Sequence, residues 1–209
     1  MSSISLQPAL IYWLFGLHSA GKTTLARAFY AHHLAAGHRV SLLDDEEVRA
    51  GLCADLGFTA ADHRENLRRA AHLAQSHAAE GGIVICAFIT PMEQHRAIVR
   101  QILGPCVRMV HIDCPLGVCV ARDVKGHYAK AVAGELIGMT GTQDTFEHPS
   151  VVDAVISTHR LSVQESLQSL LLWTETASNE QRATSNEQRA TSNEQRATSK
   201  NSDGAALAP

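Results

Sequence analysis

The chain has 209 residues, 45% hydrophobic and 19% charged, globular values that exclude wholesale disorder and supply one domain with a sizeable core. Eighteen Lys and Arg against 21 Asp and Glu leave a net charge of −3, which argues against a general polyanion binder and leaves room for a local basic pocket. No apolar run reaches the roughly 18–20 residues of a membrane span, and the opening MSSISLQPALIYWLF lacks the basic start and cleavage site of a signal peptide.

The first apolar, β-rich run, Ile11–Phe15, predicts a strand, with Tyr12 and Trp13 packing in or beside it. It ends at Gly16, and Gly16-Leu17-His18-Ser19-Ala20-Gly21-Lys22-Thr23 fits G-x-x-x-x-G-K-[ST] in full. A glycine-rich loop between a strand and a helix is an anion cradle: backbone N–H groups turn inward, and the helix N-terminus adds positive potential. The eight residues of this P-loop, with Thr24, are the candidate ATP-binding set. Lys22 is expected to reach the β- and γ-phosphates, and the Thr23 hydroxyl to ligate Mg²⁺. There is no NKxD guanine-reading motif, so ATP is the expected nucleotide.

Helical spacing then covers Thr23–Leu34, and a second strand, Val40–Leu43, runs into the acidic turn Asp44-Asp45-Glu46. A helix follows over Arg64–Ala79, with Leu67, Ala70, Ala71, Ala74 and Ala78 at three- and four-residue steps. The run Ile83–Phe88 predicts a strand with Cys86 inside the core, and a helix over Met92–Leu103 starts just after Pro91. Strands are also expected at Val107–Ile112 and, more weakly, at Val151–Ile156. Near-continuous apolar strands alternating with helices predict an α/β fold, a mostly parallel sheet with helices on both faces. Such sheets bind ligands at the carboxyl ends of their strands. Here four runs end in Gly16, Asp44–Glu46, Thr90 and Asp113. Asp113 reads equally well as a turn former.

The heptapeptide SNEQRAT occupies residues 178–184 and returns at 185–191 and 192–198. With one Ala per repeat it has no apolar seam, so the chain divides into a P-loop domain over 1–175 and a disordered or weakly helical tail over 176–209. The five cysteines are odd in number and contain no CxxC, which favours free thiols and a cytoplasmic location. The 12 histidines show no metal-ligand spacing.

Further segments carry a specific resemblance: LDDEEVR (43–49), DLGFTAADHRENLRR (55–69), AFITP (87–91), KGHYAKA (125–131) and GELIGMTG (134–141). With the GLHSAGKTT loop they resemble the adenylylsulfate kinase family over roughly residues 10–172. The resemblance implies a P-loop kinase fold and ATP- and Mg²⁺-dependent phosphorylation of the 3′-hydroxyl of adenosine 5′-phosphosulfate, giving PAPS. It implies a small-molecule substrate, neither a nucleic acid nor a membrane partner, and leaves a homodimer open. Glu46 matches the family's catalytic acid, with Asp44 the other carboxylate of that turn. Arg49, Phe58, Asn66, Ile89 and Lys125 match acceptor-contacting positions, and Arg122 to Glu147 match a mobile lid. Three groups depart from the pattern: LDGD reads LDDE, an Arg that contacts the phosphosulfate is His63, and a Phe that would sandwich the adenine with Phe58 is Met139. Thr90 stands where some members carry a phosphorylatable Ser. Two other readings keep the scaffold: a kinase for another small or nucleotide-linked acceptor, and an ATP-binding pseudoenzyme. Arg122 is expected either to clamp ATP phosphates or to pair with Asp123.

Overall fold

A computed structural model describes residues 10–136, 138–142 and 144–179. The chain separates into two compact units, residues 1–167 and 168–209. The first contains β1 (Leu10–Phe15), α1 (Lys22–Ala35), β2 (Val40–Asp44), α2 (Asp45–Ala50), α3 (Ala60–Ala79), β3 (Ile83–Phe88), α4 (Glu93–Leu103), β4 (Val107–Asp113), α5 (Leu116–Arg122), α6 (His127–Val132) and β5 (Ala154–Ser157). The strands form one parallel sheet in the order β2-β3-β1-β4-β5. The strand in the middle, β1, thus delivers the glycine-rich loop to the centre of the sheet's carboxyl edge.

Alternate side chains of β1 show how both faces are covered. Ile11, Trp13 and Phe15 join a core with Leu67, Ala70, Ala71 and Ala74 of α3 and Val99 and Leu103 of α4. Tyr12 points the other way, its ring edge-on to Phe29 of α1 at 5.0 Å. The alanine stripe of α3 lets that helix approach closely, and Cys86 is fully buried beside it.

The expected strand Val151–Ile156 begins only at Ala154. Asp153 is drawn to β4 instead: its carboxylate accepts from the Met109 N–H at 2.7 Å and its own N–H donates to the Met109 carbonyl at 3.0 Å. Helix α3 starts at Ala60 rather than Arg64, because Thr59 and Asp62 form a reciprocal capping box. Helices α2, α5 and α6 are six or seven residues long, too short for an apolar period to announce them.

Residues 163–179 are helical. In the run's first turn Ser162 and Glu165 cap each other: the Glu165 carboxylate accepts from the Ser162 N–H at 2.8 Å, and the Ser162 hydroxyl accepts from the Glu165 N–H at 3.3 Å. The described part of the second unit, residues 168–179, is the continuation of that run. There Thr174, Thr176 and Ser178 donate their hydroxyls to carbonyls three or four residues back. Helix therefore extends through the expected boundary at 175. The rest of the anticipated tail, from residue 180 on, lies outside the described residues.

Candidate active site

The loop is held in shape by its glycines. A Cβ at Gly16 would stand 2.5 Å from the Ile112 carbonyl oxygen, so only glycine lets β1 pass that close to β4. Gly21 caps α1 with φ +98, and Ser19 takes φ 56, left-handed values that concentrate strain at the loop. Neighbours hold its back: the Thr158 hydroxyl donates to the Ala20 carbonyl at 2.6 Å, and the Tyr128 hydroxyl to the His18 carbonyl at 3.2 Å. Lys22 is buried and donates to the Leu17 carbonyl at 2.7 Å. Burial lowers its pKa to about 8. Burial and the Lys22 charge bring His18 down to about 3, so that imidazole is neutral.

The loop opens into a cleft of about 1040 Å³. His18, Ser19, Gly21, Lys22, Thr23 and Thr24 line it. Gly16, Leu17 and Ala20 do not; they build the loop from behind. Next to the loop, buried Asp44 accepts from the Thr23 hydroxyl at 2.7 Å through Oδ2, and from the Glu46 N–H at 3.1 Å through Oδ1. That second bond caps α2 and turns Asp44 inward. A hydroxyl and a carboxylate in contact at the mouth of an anion cradle are hard oxygen donors of the kind Mg²⁺ takes alongside phosphate oxygens. The donor set fits the ion. Among the described residues, no group of three or more His, Cys, Asp or Glu is placed to hold a metal by itself.

Glu46 points outward into the cleft, its carboxylate paired with the Lys125 ammonium across 79 residues of sequence. Beyond it lies a second network. Asp45 Oδ1 accepts from Asn66 Nδ2 at 2.9 Å and faces Arg49 Nε at 3.5 Å. Arg49 also donates to the Gly57 carbonyl at 3.1 Å, reaches His63 Nδ1 at 3.1 Å, and lies 5.0 Å over the Phe58 ring. Phe58 is more than half exposed and Met139 is buried. Phe58, Ile89, Lys125 and Met139 all line the cleft. Apart from Gly16, Leu17 and Ala20, the expected ATP and acceptor residues therefore line one cleft, which Thr23 and Asp44 share with Phe58 and His63.

The structure places Thr90 away from the cleft. Thr90 is fully buried and its hydroxyl accepts from Trp13 Nε1 at 2.8 Å, so it offers no accessible oxygen for phosphorylation. Arg122 does not pair with Asp123. It lines the cleft, but its guanidinium donates to the Thr158 carbonyl at 2.8 Å, and Asp123 instead accepts from the Ala129 N–H at 3.0 Å. The sequence reading missed Thr158, Ser162 and Ser166, which also line the cleft. The rule that polar residues at strand ends mark the site would have found Thr158 had it been applied to the fifth run.

The sequence model of the Adenylylsulphate kinase family matches residues 8–157. An adenylyl-sulfate kinase from Paraburkholderia xenovorans is 45% identical over 161 residues, covering 77% of this chain and 90% of that protein. One from Bacillus pumilus is 41% identical over 162 residues, covering 77% and 82%. Among solved structures, the Mycobacterium tuberculosis APS kinase CysC in complex with AMPPNP and APS superposes with a TM-score of 0.77 at 35% identity, covering 80% of this chain and 98% of that one. A Sinorhizobium meliloti gluconokinase, 15% identical with a TM-score of 0.58 over 82% of this chain and 95% of that one, shares the fold alone. A parallel sheet led by a glycine-rich loop, a family match across most of the chain and relatives above 40% identity converge: the chain belongs to the adenylylsulphate kinase family.

Proposed function

We propose that the protein transfers the γ-phosphoryl group of ATP to the 3′-hydroxyl of adenosine 5′-phosphosulfate, releasing ADP and PAPS. The observation that carries this is the single cleft in which a phosphate cradle with a Thr23–Asp44 donor pair faces the Asp45–Arg49–His63–Asn66 network and an exposed aromatic. Lys22 leaves the Leu17 carbonyl for the β- and γ-phosphates. Thr23 and Asp44 would hold Mg²⁺, which when bound would neutralise phosphate charge. Glu46 orients the 3′-hydroxyl and takes its proton as the phosphoryl group moves in line. Arg49, Phe58, His63, Asn66, Ile89, Lys125 and Met139 form the acceptor side, with Phe58 stacking on the adenine. The five free cysteines support a reducing, cytoplasmic setting. A coupled ADP-release assay with ATP, Mg²⁺ and a panel of nucleotide-linked anions tests the reading. Turnover that ignores adenosine 5′-phosphosulfate while another acceptor drives it would overturn it.

Glu46→Gln keeps the side chain's size and removes its basicity. Its kcat is expected to fall about ten- to a hundredfold, with KM for ATP within about threefold of wild type. A silent Glu46→Gln beside a crippled Asp45→Asn would move the base by one residue.

We also propose that the catalytic unit needs nothing beyond the described helix. The family match ends at residue 157, and the repeats carry no apolar face. Ending the chain after Asn179 should leave turnover and melting temperature unchanged; a drop of more than about 4 °C, on the order of 1 kcal/mol for a chain of this size, would show that the repeats dock.

A further inference from the structure

Two buried polar atoms of α3 have no partner among the described residues: His63 Nε2 and Asn66 Oδ1. The first can be assigned its proton. His63 Nδ1 lies 3.1 Å from Arg49 Nη2. A guanidinium nitrogen only donates, so Nδ1 must present its lone pair. The proton of a neutral imidazole then sits on Nε2. Arg49 has little freedom to turn away. Asp45 grips its Nε, the Gly57 carbonyl takes Nη1, and the Phe58 ring lies beneath the guanidinium. The same Asp45 oxygen accepts from Asn66 Nδ2, which settles that amide's orientation and leaves Oδ1 as a free acceptor. Residues three apart on a helix share a face, and both residues line the cleft.

We propose that Asp45 is a positioning residue that, through the Arg49 it holds, fixes His63 as a neutral Nε2–H donor to the acceptor nucleotide, beside Asn66 Oδ1 as a hydrogen-bond acceptor. Recognition at this end of the cleft then works by a matched donor and acceptor, for a nucleotide that offers an oxygen or nitrogen lone pair to Nε2–H and a hydroxyl or amino hydrogen to Oδ1. The groups around His63 are Arg49 and Asp45 of α2, Asp62 of its own helix, Asp144 after α6, His18 of the loop and His95 of α4. Burial, followed by the Arg49 charge, lowers the His63 pKa below the ordinary value, in keeping with a neutral ring at pH 7.

Only the name of the nucleotide rests on the function proposed above; the tautomer does not. The experiment joins nitrogen-15 NMR of the histidine rings in the full chain with steady-state kinetics on adenosine 5′-phosphosulfate. At pH 7 the His63 signals, assigned by their loss in His63→Gln, should be those of the neutral Nε2–H form. Asp45→Ala should blur them into a mixture of tautomers. His63→Ala should raise KM for adenosine 5′-phosphosulfate about ten- to thirtyfold, with KM for ATP held within about twofold. His63→Gln, which can place an N–H near the Nε2 position, should stay within about threefold of wild type. Wild-type KM for the acceptor should be flat from pH 6.5 to 8.5. An Nδ1–H or imidazolium signature at pH 7, a Gln variant as impaired as the Ala variant, or a KM that climbs as the ring loses its charge would overturn the proposal. A wild type inactive on adenosine 5′-phosphosulfate would overturn the acceptor assignment, while the NMR arm still decides the tautomer.

Discussion

Lys22→Ala is expected to lower kcat by at least two orders of magnitude while the protein stays folded. Phosphoryl transfer spreads negative charge over the γ-phosphate oxygens, and a desolvated ammonium aimed at them interacts more strongly in the transition state than before it. A hundredfold loss corresponds to about 2.7 kcal/mol, within the usual range for removing one such group. The fold should not suffer in proportion. Burial lowers the Lys22 pKa, so the folded state already holds this charge at a cost, and its bond to the Leu17 carbonyl offsets only part of that. Equal or slightly higher melting temperature with collapsed turnover is the expected pair of results. Near-wild-type turnover in a folded Lys22→Ala protein would sink the role given to the loop.

The second large effect is on stability below neutral pH. His33 and His111 are both buried, and burial lowers each to about 4, while His18 falls to about 3. His33 packs against Phe29 at 4.5 Å, and His111 lies between Phe15 at 5.2 Å and Phe146 at 5.9 Å. In each case the unfolded chain, with a pKa near 6.5, binds a proton that the fold refuses. Stability therefore rises with pH through this window and is lost as pH falls from about 6.5 towards 4. At pH 5 each group contributes a loss of up to about 2 kcal/mol. Three together approach a large part of an ordinary domain's stability. Thermal melts at pH 7 and pH 5 should differ by at least about 10 °C, and His111→Gln should remove part of the difference. Equal melting temperatures at the two pH values would show that these rings are already hydrated in the fold.

Much of this architecture can be read from the sequence, because each strand is an unbroken apolar run. The strand Ile83–Phe88 is recovered residue for residue, and the glycine-rich loop announces both its conformation and its ligand. The acidic turn is harder. Three adjacent carboxylates look alike in sequence, yet Asp44 turns inward to Thr23, Asp45 faces α3, and Glu46 reaches Lys125. Their separation follows from the first turn of α2, a helix too short to leave a periodic signal. Thr90 is hard to place from sequence for a related reason. Its place at a strand end suggested the cleft, but the indole N–H of Trp13 on the neighbouring strand needs a buried acceptor, and the Thr90 hydroxyl supplies it.

Arg122 and Glu147 mark the two ends of the segment that resembles a lid, and both are fastened to the core. Arg122 is bonded to the Thr158 carbonyl. The Glu147 carbonyl accepts from Arg96 Nη2 at 3.1 Å, and that fully buried guanidinium also takes the carbonyls of Thr90 and Pro91. Between these rivets Val124 and Val132 are 87% and 85% exposed, while Tyr128 and Met139 are buried and Lys125 pairs with Glu46. The segment is built like a strap buckled at both ends. Lifting its middle would break the bonds of Tyr128 and Lys125 and uncover Met139, a local opening at a free energy below that of global unfolding. The sheet would feel nothing, and the strap would return to the same two anchorages on every turnover.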